Sequence, residues 1–77
     1  MNTADKRYYL KTCVDYMEMS YKSLYPVKDL AAARGMNPGT LAKHMHRAKN
    51  LGLWVSDGPG LTGGHLTREA LEMLRNG

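Results

Sequence analysis

Phenylalanine is missing from this sequence, and cysteine occurs once, at Cys13. A single cysteine excludes an internal disulfide framework and suits a reducing cytoplasm, the location expected here. No apolar run is long enough to cross a bilayer, so no membrane partner is expected. The opening MNTADKRYYL lacks the apolar centre of a secretory signal. Internal repeats and low-complexity stretches are missing too. So is any arrangement of Ser, His and Asp, or of paired carboxylates, that gives a nucleophile an evident base. No enzymatic activity, catalytic residue or cofactor is therefore expected.

Two apparent motifs dissolve on the same grounds. His44 and His46 look like a metal pair, but residues two apart on a helix diverge. Neither Cys13 nor His65 completes a recognised ligand spacing, so no metal is expected. Gly58-Pro59-Gly60-Leu61-Thr62-Gly63 matches the dinucleotide fingerprint G-x-G-x-x-G. That fingerprint needs a helix opening at the glycines and an acid about 20 residues later. Here a strand signal follows and the sequence ends too soon.

What is present fits one domain: 77 residues, 43% of them apolar, with six methionines giving a compliant core. The most informative stretch is VKDLAAARGMNPGTLAKHMHRAKNLGLW, from Val27 to Trp54. Val27, Leu30 and Ala31 form the apolar side of a short helix that Gly35 ends in the left-handed conformation. Met36 plugs the turn. Asn37 then caps a second helix with Pro38 at its first position, where the missing N–H is not needed. Leu41, Met45 and Ala48 form the buried stripe of that helix, which ends near Leu51-Gly52. The pattern predicts a helix-turn-helix over residues 27–51.

With that stripe turned inward, Thr40, Lys43, His46, Arg47 and Asn50 point outward, and each can donate a hydrogen bond to a phosphate or a base edge. His44 falls on the flank of the stripe and reads as a packing residue. Most charged helix faces are merely solvated, but the distribution of charge speaks for more. Residues 28–49 hold Lys28, Arg34, Lys43, Arg47 and Lys49 against Asp29 alone. The remainder of the chain has six basic and six acidic residues, so this segment carries the whole formal charge of +4. With a pI near 9.4, that clustering is the footprint expected of a nucleic-acid surface.

The segment resembles the winged helix-turn-helix transcription regulators, broadly the MarR-like group. Leu30-Ala31, Gly35, Thr40-Leu41, Gly52-Leu53 and Leu66-Thr67 carry the likeness, which covers about residues 25–75. It implies that the second helix enters the DNA major groove, with Thr40, Lys43 and Arg47 touching bases and phosphates. It also implies that Leu24-Tyr25-Pro26-Val27 is an extended segment paired with the wing. One feature departs from the family. MarR-like wings carry an arginine for the minor groove, whereas no Lys or Arg lies between Lys49 and Arg68. Only His65 and backbone N–H groups are available there.

Outside this unit, Thr3 is the predicted cap of a long first helix over 4–20. Its buried stripe is read as Leu10, Cys13, Val14 and Met17, continued by Tyr21 and Leu24. Cys13 within that stripe is a small buried hydrophobe. Tyr8, Tyr9, Thr12, Tyr16 and Met19 fall on the opposite side. A second apolar face implies a cover, and Tyr8, Tyr9, Tyr16 and Met19 are accordingly predicted to form a homodimer interface. The wing is placed at 53–66, with Leu53 and Val55 on one face and Trp54 on the other, packed at its base. Thr67 caps a closing helix over 68–75 whose apolar positions are Ala70, Leu71 and Leu74.

The expected fold is thus mainly α with a small antiparallel β wing, a winged helix-turn-helix. The expected function is sequence-specific binding of double-stranded DNA by a small bacterial or phage transcription regulator. The expected DNA-binding residues are Lys28, Asn37, Thr40, Lys43, His46, Arg47, Asn50 and His65. The alternatives are a protein-interaction winged-helix module and a DNA-binding replication, recombination or partition factor.

Overall fold

The computed structural model describes residues 3–56 and 64–76. The G-x-G-x-x-G stretch and the rest of the wing tip, 57–63, lie outside the described residues. The elements run α1 (Thr3–Lys22), α2 (Pro26–Ala33), α3 (Pro38–Asn50), β1 (Trp54–Val55), β2 (His65–Leu66) and α4 (Arg68–Asn76). The described residues are mainly helical, with one two-stranded antiparallel sheet. None of these helices is long and apolar enough to cross a membrane.

The C-terminal ends of α2 and α3 close in the same way. Gly35 takes φ 66°, its N–H reaches the Ala32 carbonyl, and the Met36 N–H reaches Ala31. At the end of α3, Gly52 takes φ 78°, its N–H reaches the Lys49 carbonyl, and the Leu53 N–H reaches Ala48. These paired bonds, with glycine in the left-handed region, satisfy carbonyls that a helix end otherwise leaves without partners. The second closure also carries Leu53 into the core before β1 begins.

Helix α1 is the centre of the fold, packing on α2, α3 and β2. At about 100° per residue, Thr12, Tyr16, Cys13 and Leu10 span one continuous arc of roughly 160°, and all four are buried. This corrects the reading of two opposed apolar faces. Tyr16 lies in the core, its ring edge-on to Trp54 at 5.5 Å between centroids. Tyr9 and Met19 pack against the same core, and Tyr8 is exposed but engaged with His44. The cover inferred from these residues is supplied by the chain's own α3 and β1, so they are not the free apolar face that the dimer expectation required. The Cys13 thiol is pushed up to about 12 by burial, and burial likewise raises the Tyr16 phenol.

Three further expectations are corrected. Tyr21 and Leu24 do not continue the buried stripe: Tyr21 is in the last turn of α1, Leu24 lies beyond its end at Lys22, and both side chains are exposed. The segment 24–27 is not a wing strand: Pro26 opens α2, and the Asp29 N–H already bonds the Tyr25 carbonyl. In β1 the faces differ from the expected alternation. Trp54 pairs in register with Leu66 and both are buried, while Val55 pairs with His65 and both are exposed. Leu53 escapes the alternation because it still belongs to the turn that closes α3.

Helix α4 is anchored at its start. The Thr67 hydroxyl accepts from the Ala70 N–H at 3.1 Å and donates to the Gly52 carbonyl at 2.5 Å, tying α4 to the end of α3. Lys6 pairs with Glu69 at 2.6 Å. Of the apolar positions of this helix, Ala70 is buried, while Leu71 and Leu74 are exposed; Met73 packs on the core. Leu71 sits about 100° round the helix from Ala70, whereas Leu74, only about 40° from it, is nevertheless 46% exposed.

Candidate nucleic-acid interface

The chemistry available on α3 follows from how its first turn is built. Asn37 is extended at ψ 137°, and its side-chain oxygen accepts from the Gly39 N–H at 2.7 Å. Pro38 follows at the first helical position. The oxygen of Asn37 is therefore committed to the cap, and only its NH₂ group remains for a ligand.

Leu41, Met45 and Ala48 are buried, which fixes the rotation of the helix about its own axis. Thr40, Lys43, Arg47 and Asn50, spaced three, four and three apart, then form one exposed row along α3. His46 flanks the row and is also exposed. The helix contains no acidic residue. Every side chain of the row can donate a hydrogen bond, and none carries negative charge. Lys43, Arg47, Lys49 and Lys28 make no ion pair among the described residues.

Arg34 does not belong with them. Its guanidinium donates to the Asp15 carboxylate at 2.7 Å and to the buried Thr12 hydroxyl at 2.9 Å, and it lies 6.0 Å from the centre of the Tyr8 ring. Burial pushes the Asp15 carboxyl up, but hydrogen bonds and charge from Lys11 and Arg34 outweigh it and hold the group below its ordinary value. One of the five clustered cations is thus neutralised internally. Lys28, Lys43, Arg47 and Lys49 remain against Asp29, whose carboxylate accepts from the Ser23 hydroxyl. The role of Arg34 was legible only in part. Tyr8, Thr12 and Asp15 share one side of α1 by their spacing, but nothing in the sequence says which cation meets them.

The same region sets the position of α3. The Tyr8 hydroxyl and His44 Nδ1 are 3.1 Å apart, and the His44 ring sits edge-on to both Tyr8 and Tyr9. His44 is a half-buried packing residue one position from Lys43 in the exposed row. His46 is exposed and faces elsewhere, so the two histidines do not converge. Among the described residues no group of three His, Cys, Asp or Glu is placed to hold a metal ion.

Lys28 is exposed near the start of α2, beside the groove that also includes Pro38. His65 is exposed on β2 opposite Val55. The arrangement therefore gathers the residues of α3 into one donor-rich surface, with Lys28 at its edge and His65 on a separate element. No family model, curated protein or solved structure matches the chain.

Proposed function

We propose that this chain binds double-stranded DNA as a winged helix-turn-helix transcription regulator, with α3 as the recognition helix and β1–β2 as the wing. The observation that carries this reading is the exposed row Thr40, Lys43, Arg47 and Asn50 on a helix without a single acid. A helix of 13 residues is about 20 Å long, and the major groove admits such a helix. Arg47 suits bidentate donation to a guanine edge, and Thr40 and Asn50 suit single base contacts. Lys43 and Lys49 suit phosphates, which position the protein without reading sequence. The wing brings His65 and no Lys or Arg, so its contact is limited to the backbone or to bracing.

A protein-docking module has no need of an outer row composed solely of donors, and for that reason DNA is favoured over a protein partner. Selection of bound duplexes from a random pool, followed by titration of the winner against salt, tests the reading. Log affinity is expected to fall linearly with log salt, by about 0.9 per phosphate contacted. Failure to retain any duplex at low salt rejects it.

A further inference from the structure

The most exposed large apolar side chains among the described residues sit together at one corner. Tyr21 is 82% exposed, Leu24 87% and Tyr25 68%, where α1 ends and α2 begins. Beside them runs an open groove of about 260 Å³ lined by Leu24, Tyr25, Pro26, Val27, Lys28 and Pro38. The corner is held in shape rather than trailing in solvent. Ser23 Oγ accepts from the Tyr25 N–H at 3.0 Å and donates to Asp29 in the first turn of α2.

We infer that this corner is a self-association surface, where Leu24 and Tyr25 of one copy enter the Leu24–Pro38 groove of a second copy across a two-fold axis. Three features point to a second copy. First, projecting side chains and an apolar groove lie on the same patch, and a two-fold contact requires a patch complementary to itself. Second, the charges around it are balanced. Lys22 and Lys28 stand near Glu18, one turn back on α1, and Asp29, so a copy can oppose unlike charges, whereas a polyanion meets both signs. Third, the area is adequate. Two tyrosines and a leucine this exposed present on the order of 400–500 Å², or roughly 1,000 Å² from two copies, the lower bound of a specific interface. By contrast, the exposed pair Leu71 and Leu74 on α4 offers two half-exposed leucines and no groove of comparable apolar lining.

Sedimentation of the full chain without DNA tests the surface independently of the proposed function. The unmodified chain should be dimeric at several hundred micromolar. Leu24→Glu and Tyr25→Glu should each weaken the dimer at least tenfold while helix content and melting temperature stay unchanged, because both positions are on the surface. Leu71→Glu should leave the dimer intact. Leu24→Cys adds a second readout, since Cys13 is fully buried and a short thiol-reactive cross-linker should join two copies only through position 24. A monomer at several hundred micromolar overturns the inference. So does a dimer that Leu71→Glu dissociates and Leu24→Glu does not. Loss of DNA affinity in Leu24→Glu or Tyr25→Glu with the oligomeric state unaltered also overturns it, assigning the corner to nucleic acid instead.

Discussion

Arg34 and Asp15 are joined at 2.7 Å across the packing of α2 on α1, and the pair is only about one-fifth exposed on either side. Among the described residues it is the ion pair that ties the α2–α3 segment to α1, and it removes a cation from the surface that faces outward.

Asp15 therefore makes stability depend on pH in a defined direction. Its folded carboxyl is held below the ordinary value, so its contribution is fully present above the unfolded pKa of about 4. It is lost as pH falls through that value towards the lower folded one. Asp15→Asn should cost about 1–3 kcal/mol near neutrality, and the gap should close as pH falls below about 4. Urea denaturation of both proteins across that range provides the check.

Arg34 and Lys43 should separate stability from DNA binding. Arg34→Met should destabilise the fold by about 1–3 kcal/mol, because Thr12 loses a donor and Asp15 keeps only Lys11, yet leave the salt dependence of binding unchanged. Lys43→Ala should leave the melting temperature alone and reduce the salt slope by about 0.9. Arg47→Ala should cost about 1–3 kcal/mol and relax preference at one base pair. Equal effects of Lys43→Ala and Arg47→Ala on every duplex would remove the division between phosphate and base contacts.

Tyr8→Phe isolates the bond to His44, since the ring stack on Tyr9 and His44 is retained. A loss of about 0.5–1.5 kcal/mol in chemical denaturation is expected. No change would mean that water replaces the hydroxyl at no cost.

Two glycines should respond unequally to alanine. At Gly35, with φ 66° and nothing within 4 Å of an added Cβ, the cost is backbone strain alone, about 1–2 kcal/mol. At Gly64, φ is 143° and a Cβ would come within 2.5 Å of the Val55 carbonyl oxygen and 2.6 Å of Trp54 Nε1. Gly64→Ala should be the more damaging, displacing Trp54 and shifting its fluorescence, whereas Gly35→Ala should leave the emission as it is.

The sequence by itself determined the local punctuation of this protein. Asn37 before Pro38, glycine at 35 and 52, Thr67 before α4 and the stripe Leu41, Met45 and Ala48 all act within a turn or two of helix. Caps and helical periodicity are short-range physics, so they are visible in a row of letters, and the outward row on α3 follows from the stripe. What packs against each face was decided only in three dimensions. Tyr16 is buried because Trp54, 38 positions later, comes to lie against it. Arg34 leaves the exposed basic set because Asp15, 19 positions earlier, is brought within reach. Tyr21, in the last turn of α1, and Leu24, past its end, stay in solvent because no other element among the described residues covers them, and on α4 only Ala70 and Met73 reach the core, leaving Leu71 and Leu74 exposed. Periodicity states that a side chain is apolar and where on its helix it sits. Whether another element covers that position depends on chain segments that meet only after folding.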